Sequence, residues 1–110
     1  MQNDPIHKKC VPCEGGTKPL ERAEIDVYMS YLKTQWDVID DKKITQKFKF
    51  KDFKESMEFV NKLAAIAEEE GHHPDITINY NKVTLELMTH AIGGLSVNDF
   101  IMARKIESIN

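Results

Sequence analysis

Apolar residues recur every three or four positions in two segments of the chain, which is the spacing of one face of an α-helix. The first segment covers residues 19–33, and Pro19 suits its first turn because a missing N–H costs nothing there. The second follows Asp52 and Glu55, which form a capping-box pair, and ends at Gly71, a natural left-handed stop. Its predicted apolar face is Phe53, Met57, Val60, Ala64 and Ala67, thickened by Phe59, Leu63 and Ile66.

The third helical segment follows a loop marked by Gly93 and Gly94. Ser96 and Asp99 match the capping-box pattern S-x-x-D/E, in which each side chain accepts a hydrogen bond from the backbone of the other residue. The helix is therefore predicted to begin there and to run to about Ile109.

Two pairs of shorter segments are predicted to form β-hairpins. Residues 44–50 alternate apolar and polar side chains, which is typical of a half-exposed antiparallel strand, and a turn separates them from the apolar-rich run 36–39. Residues 76–80 and 83–87 alternate in the same way around the two-residue loop at residues 81–82.

The position of this second loop predicts the pairing within its hairpin. With residues 81–82 in the loop, Ile76 faces Leu87, and every large apolar residue of the hairpin lies on one face, as a buried sheet face requires. The same register places His73 opposite His90, with their Cβ atoms about 5 Å apart if the pairing continues that far.

The predicted order of elements is α-β-β-α-β-β-α. Two hairpins and three helices favour an α+β domain in which the three helices cover one face of a four-stranded antiparallel sheet. Residues 1–18 contain two prolines and two glycines without periodicity and are predicted to be an irregular N-terminal arm. Residues 19–110 then form a single domain, which agrees with the chain length of 110 residues.

Charge and hydropathy narrow the range of partners. The formal net charge is −3, whereas a dedicated nucleic-acid binder carries a basic surplus, so direct nucleic-acid binding is not expected. The longest apolar run is residues 63–67, far short of the ~20 residues of a membrane-spanning helix, so no membrane partner is expected either. The N-terminus shows no signal-peptide core, which favours the cytoplasm, with the nucleus as a second location.

The two cysteines, Cys10 and Cys13, have the spacing C-x-x-C. This spacing occurs in redox pairs and as half of a zinc site. A redox pair normally opens a helix, whereas glycines follow here, and His7 is the only nearby candidate for a further zinc ligand. We therefore interpret the segment as an arm without a catalytic role.

Three of the four histidines lie at the ends of predicted elements. His72 and His73 follow the second helix and His90 follows the fourth strand, so the predicted hairpin brings them together. Because an imidazole exchanges protons near neutral pH, such a cluster suits general acid–base catalysis. The alternatives are ordinary loop histidines, a three-histidine metal site and a pH sensor; no H-E-x-x-H spacing supports the metal.

Three glutamates, Glu68, Glu69 and Glu70, lie just before this histidine pair. They have two interpretations: a solvated helix end, or a group of anions that keeps one histidine protonated.

Short motifs around the histidines form a specific pattern: Gly71-His72-His73-Pro74, Tyr80-Asn81-Lys82-Val83, Thr89-His90, and Gly94-Leu95-Ser96 with Asp99. This pattern resembles the signature of the pterin-4a-carbinolamine dehydratases, and Trp36, Phe48-Lys49-Phe50 and Asp52-Phe53 also fit it. The resemblance covers roughly residues 19–108. The double histidine followed by proline, at this distance from Thr-His and the aspartate, is the specific part.

The resemblance implies an activity and the residues that perform it. Members of the family dehydrate 4a-hydroxytetrahydropterins to quinonoid dihydropterins without a metal or other cofactor, and so recycle the cofactor of aromatic amino acid hydroxylases. His72 and His90 would act as general acids towards the departing hydroxyl. His73 would hold the pterin and assist proton transfer.

The resemblance also implies supporting residues. Pro74, Thr89 and Ala91 would bind the substrate by lining the ring pocket. Asp99 would support the site, and its capping-box role is favoured over direct contact with the substrate. Glu68 is predicted to support the site as well, from its place among the three glutamates before the histidine pair.

Partners are implied as well. Family members form dimers and tetramers, so a homodimer or homotetramer with a pterin substrate is expected. Some animal members bind a homeodomain transcription factor through the helical surface that also builds their tetramer. A helix-binding dimerisation cofactor is therefore the alternative function, and the three histidines favour the enzyme because a helix-binding surface does not need them.

Overall fold

A computed structural model describes residues 8–10 and 17–109 of the chain. The helices are α1 (Arg22–Met29), α2 (Phe53–Glu70) and α3 (Val97–Ile109), and the strands are β1 (Asp37–Ile39), β2 (Lys43–Lys49), β3 (Asp75–Asn79) and β4 (Lys82–Leu87). A single 3₁₀ turn, His90–Ile92, lies between β4 and α3. The order α-β-β-α-β-β-α confirms the predicted fold class. Most of the predicted arm, including His7 and Cys13, lies outside the described residues.

The four strands form one antiparallel sheet in the order β1-β2-β4-β3. Alternation along the two central strands buries Ile44 and Phe48 of β2 and Val83, Leu85 and Leu87 of β4. These side chains belong to one core cluster with residues from all three helices, among them Ile25, Phe59, Leu63, Phe100 and Ile106. On β2 and β4 the predicted apolar face packs against the helices. On the edge strand β3 the prediction is wrong, because Ile76 and Ile78 are exposed.

Both ends of α2 follow the predicted signals. The Asp52 carboxylate accepts a hydrogen bond from the Glu55 N–H at 2.9 Å, and the Glu55 carboxylate accepts one from the Lys51 N–H rather than from Asp52 itself. At the other end, Gly71 adopts a left-handed conformation with φ of 67° and stops the helix. The chain therefore leaves α2 at the histidine pair.

The buried face of α2 differs from the predicted one. Phe53 is 49% exposed and Ala64 is exposed, whereas the buried positions are Ser56, Phe59, Leu63 and Ala67. The apolar stripe of this helix is wide enough to contain two overlapping rows. Periodicity alone does not select the row that faces the sheet.

Helix α1 is shorter than the predicted segment 19–33. Pro19 does not lie in its first turn: the chain there is paired with the loop before α3, where the Leu20 N–H donates to the Leu95 carbonyl at 2.9 Å. Beyond the other end, the N–H groups of Lys33 and Thr34 donate to the Glu107 carboxylate. Tertiary hydrogen bonds thus replace helical ones on both sides of α1.

The predicted pairing of the second hairpin is wrong by two residues. Ile76 faces Leu85 and Asn79 faces Lys82, because Tyr80 adopts a left-handed conformation with φ of 53° and lies in the turn instead of the strand. A shift of two preserves the face of every side chain, since the period of a strand is two. The predicted pairing of His73 with His90 is wrong as well, because the ladder ends at Asp75.

Across residues 8–10 and 17–109, none of the helices combines the length and apolar content needed to cross a membrane.

Candidate active site

A cavity of about 400 Å³ opens where the end of α2, the end of β4 and the start of α3 meet. Its lining is made by residues from these elements and from the N-terminal segment: Cys10, Glu70, Gly71, His72, His73, Met88, Thr89, His90, Ala91 and Asn98. The volume lies within the range of small-molecule pockets. All three histidines predicted to cluster therefore surround one cavity, although the strand register that predicted their contact is wrong.

His72 is the most enclosed of the three rings, with 12% of its side chain exposed. Its Nε2 lies 2.7 Å from Oδ1 of Asp99, whose side chain is fully buried. A carboxylate accepts hydrogen bonds, so this contact fixes Nε2 as the protonated nitrogen. Nδ1 is then the nitrogen of His72 that can exchange a proton with a bound molecule.

The second oxygen of Asp99 is also occupied. Oδ2 accepts hydrogen bonds from the Thr89 hydroxyl at 2.9 Å and from the Ser96 N–H at 3.0 Å. The Thr89 hydroxyl has one proton and donates it to Asp99, so the Ser96 hydroxyl is the donor in the 2.8 Å contact between these two side chains. One half of the predicted capping box is thus present, the hydrogen bond from the Ser96 N–H to Asp99, while the Ser96 hydroxyl accepts from the Asn98 N–H at 3.2 Å. The same cap holds the carboxylate that orients His72.

The other two histidines are more exposed and each lies near one carboxylate. His73 Nε2 is 2.5 Å from Oε2 of Glu68, an interaction on the surface. His90 Nε2 is 3.7 Å from Oδ2 of Asp75, and 67% of the His90 side chain is exposed. The Asp75 contact is longer than a hydrogen bond, so His90 is the least constrained ring of the cluster.

Two of the three predicted substrate-binding residues line the cavity. Thr89 and Ala91 line the cavity, the first buried and the second exposed. Pro74 is buried and does not contribute to the cavity lining. Of the three glutamates before the histidine pair, Glu68 contacts His73, Glu69 is exposed, and Glu70 lines the cavity with its carboxylate bound to Lys105.

Glu70 forms a contact that the sequence did not predict. Its side chain is only 3% exposed; Oε2 accepts a hydrogen bond from Nζ of Lys105 at 2.8 Å, and Oε1 accepts one from the backbone N–H of Cys10 at 2.8 Å. The hydrogen bond from Lys105 is the main cause that lowers the pKa of Glu70 below its ordinary value. Burial, together with the nearby Glu70 charge, raises the pKa of the Cys10 thiol to about 12.

Sequence reasoning did not place Cys10, Met88 or Asn98 at the site, and it considered Glu70 only as one of three anions near the histidines. The contact between Cys10 and Glu70 joins residues 60 positions apart. Neither periodicity nor motif spacing carries a signal for such a pair. In the described part of the chain, no three His, Cys, Asp or Glu side chains come together in a way that could hold a metal ion.

A comparison with known protein families identifies the family of this chain. The family model described as Pterin 4 alpha carbinolamine dehydratase matches residues 18–109. The chain belongs to this family. The resemblance inferred from the histidine motifs is thereby confirmed.

Relatives across the pterin-4a-carbinolamine dehydratase family agree with this assignment. A protein of Rickettsia bellii (strain OSU 85-389) that is named for the same dehydratase is 50% identical over 100 residues, which cover 91% of this chain and 88% of the relative. One from Alkaliphilus metalliredigens (strain QYMF), with the same name, is 46% identical over 105 residues, covering 96% and 95%.

Two solved structures are similar to this dehydratase family member. A transcriptional coactivator/pterin dehydratase from Brucella melitensis superposes with a TM-score of 0.78 at 35% identity, covering 84% of this chain and 98% of the other. A pterin dehydratase-like protein identified as a RuBisCO assembly factor in the α-carboxysome gives a TM-score of 0.57 at 21% identity, covering 68% and 86%. The second likeness shows the shared fold alone.

Proposed function

We propose that the protein dehydrates 4a-hydroxytetrahydropterins to quinonoid dihydropterins by histidine acid–base catalysis. The C4a–O bond breaks, the departing hydroxyl takes up a proton and leaves as water, and a ring nitrogen gives up a proton. The proton count balances, so the reaction needs groups that donate and accept protons near neutral pH. The observation that carries the proposal is the cavity of about 400 Å³ lined by three imidazoles.

The three rings have different roles in this proposal. His90 and His72 act as general acids towards the 4a-hydroxyl, and His73 holds the pterin and assists the transfer from the ring nitrogen. The fixed tautomer of His72 supports its role, because the hydrogen bond to Asp99 directs proton exchange to one nitrogen. The exposure of His90 supports its role, because a weakly held ring can follow the departing oxygen.

Supporting residues complete the proposed site. Thr89 and Ala91 contact the pterin ring from the cavity wall, and the buried Pro74 shapes the segment between His73 and β3. Asp99 orients His72, and Glu68 orients His73. Residues 19–110 constitute the dehydratase domain, a boundary that the family match at residues 18–109 supports.

The first experiment measures dehydration of a freshly generated 4a-hydroxytetrahydropterin with wild-type protein, His90→Ala and His90→Gln. Glutamine keeps a polar side chain of similar size but cannot exchange a proton. Since general acid–base catalysis contributes about 10²- to 10⁴-fold, both variants are expected to lose at least ~10²-fold of the protein-dependent rate. Near-normal activity of His90→Gln would contradict proton transfer by His90, and a folded wild-type protein without any acceleration would contradict the function.

A second candidate function rests on the Brucella melitensis relative, which is described as a transcriptional coactivator as well as a pterin dehydratase. In this alternative the protein is a helix-binding dimerisation cofactor of a transcription factor. Capture of a helical partner by the His90→Ala variant as well as by the wild type, with no acceleration of dehydration by either, would support it over the enzyme.

We also propose that the protein forms a homodimer or homotetramer. Strand β3 lies at the sheet edge, and all five of its residues are exposed, including Ile76 and Ile78. An edge strand of this kind offers unpaired backbone groups to a second chain. Sedimentation equilibrium is expected to give two or four times 12.7 kDa, and a mass of 12.7 kDa would contradict the proposal.

A further inference from the structure

The N-terminal segment Lys8–Cys10 reaches the cavity from outside the domain core. Cys10 lines the cavity together with the three histidines and packs against the hydrophobic core. Two hydrogen bonds hold it: its backbone N–H donates to Oε1 of Glu70 at 2.8 Å, and its thiol donates to the backbone carbonyl of Asn98 at 3.6 Å. One contact is with the last residue of α2 and the other is with the first turn of α3.

The Glu70 carboxylate links this segment to α3. It is almost fully buried, and each of its oxygens has a donor, the Cys10 N–H on one and the Lys105 ammonium on the other. A buried charge of this kind is tolerated only when it is paired and hydrogen-bonded. A glutamine in its place has one acceptor oxygen for these two donors, so Glu70→Gln is expected to break one of the two hydrogen bonds and to loosen the segment.

We propose that Cys10 forms one wall of the pterin site and that Glu70, paired with Lys105, is the positioning residue that holds this wall. This inference rests on the proposed function, because it takes the cavity to be the place where the pterin binds. It assigns a role in substrate binding to a segment that the sequence predicted to be an irregular arm without a catalytic role.

The thiol acts in this site as a contact surface and not as a nucleophile. Its raised pKa keeps it protonated at neutral pH, and the thiol form is a poor nucleophile. A neutral sulfur is polarizable and makes favourable contacts with flat rings. The class of ligand group that suits this wall is therefore the ring system of a pterin.

A wall contact has a defined kinetic signature. A contact made equally in the bound substrate and in the transition state lowers KM and leaves kcat unchanged. Cys10→Ala and Glu70→Gln are therefore expected to raise KM about 2- to 10-fold with kcat within about twofold of wild type. Glu69→Gln is the matched control, since it removes the same charge from an exposed neighbour outside the cavity, and its KM is expected to be that of the wild type.

Alkylation of Cys10 tests the anchor without using catalysis. In a Cys13→Ser background, iodoacetamide labelling followed by mass spectrometry is expected to be slow for Cys10, to be accelerated severalfold by Glu70→Gln, and to be unaffected by Glu69→Gln. A stable 7,8-dihydropterin is expected to slow the labelling further. Labelling of the native protein at the rate of the urea-unfolded chain would overturn the anchor.

The two proposals fail in different ways. Dehydration by the wild type with an unchanged KM in Cys10→Ala overturns the wall and leaves the proposed function standing. An absence of dehydration by the folded wild type overturns the proposed function and the pterin wall together, even if Glu70→Gln exposes the thiol.

Discussion

Asp99 shows how one buried side chain serves both the fold and the site. The S-x-x-D pattern predicted its role at the start of α3, and the hydrogen bond from the Ser96 N–H confirms that role. The contact with His72 joins residues 27 positions apart and depends on how the segment after α2 lies against the first turn of α3. Local spacing therefore predicted the cap but could not predict that the same carboxylate orients a histidine.

Asp99→Asn is expected to lower both stability and activity. The amide nitrogen would replace one carboxylate oxygen and oppose the donors of Thr89 or Ser96, at a cost of about 1.5–3 kcal/mol in the free energy of unfolding. It would also remove the charge that supports His72, so kcat is expected to fall more than KM changes. Urea unfolding and steady-state dehydration measure the two effects.

Thr89→Val is the matched control for this prediction. It removes the hydrogen bond to the same Asp99 oxygen and the acceptor of the Ser96 hydroxyl but keeps the carboxylate, so it is expected to lower stability by about 1–3 kcal/mol with a smaller loss of kcat. Equal losses of kcat in the two variants would contradict an orienting role for the Asp99 charge.

At the scale of elements, the loop before α3 is positioned by a close contact with residues 19–20, which lie just before α1. A Cβ atom on Gly94 would lie 2.8 Å from the Cβ of Pro19, a distance that real structures do not show. The Leu20 N–H donates to Leu95 next to this contact, and Gly94 pairs with Thr89. The absence of a side chain at Gly94 thus lets residues 19–20 pack against the loop that joins Thr89 to α3.

Gly94→Ala is expected to lower the free energy of unfolding by about 1–3 kcal/mol, because the new methyl group overpacks this contact. Pro19→Gly removes the opposing Cβ, so the double variant is expected to be more stable than the sum of the single effects predicts. Gly93→Ala is the control: its loss of stability arises from the left-handed backbone at φ 67° with no neighbour within 4 Å, and Pro19→Gly is not expected to relieve it. Urea denaturation of the single and double variants measures the coupling energy between Pro19→Gly and each of the two glycine substitutions. Equal coupling energies would contradict the proposal that a clash with Pro19 destabilises Gly94→Ala.

The elements also show which parts of the fold were predictable. Alternation identified the strands, and caps identified both ends of α2, because these signals are local. The β3–β4 register failed on Tyr80, whose left-handed backbone conformation has no signature in the pattern of apolar residues. The histidines still surround one cavity, since the Gly71 stop and the end of β4 deliver them to the same end of the hairpin in either register.

For the molecule as a whole, the pair formed by Glu70 and Lys105 joins three regions that are far apart in the sequence. Glu70 ends α2, Lys105 lies in α3, and Cys10 belongs to the N-terminal segment. The two helices also share the hydrophobic core through Leu63 and Ile106 among others. A single carboxylate therefore couples the packing of two helices to the position of one cavity wall.

This coupling makes stability depend on pH in a direction set by Glu70. Its pKa is lowered in the folded protein, chiefly by the Lys105 hydrogen bond, so its contribution is complete above the unfolded-state value of about 4.3 and is lost as the pH falls through the folded-state pKa. Glu70→Gln is expected to reduce the free energy of unfolding by about 1–3 kcal/mol at neutral pH. The difference between wild type and variant should shrink as the pH falls below about 4. Urea denaturation of wild type, Glu70→Gln and the control Glu69→Gln across this range measures it, and a difference that stays constant or widens in acid would show that the charge of Glu70 does not hold the helices together.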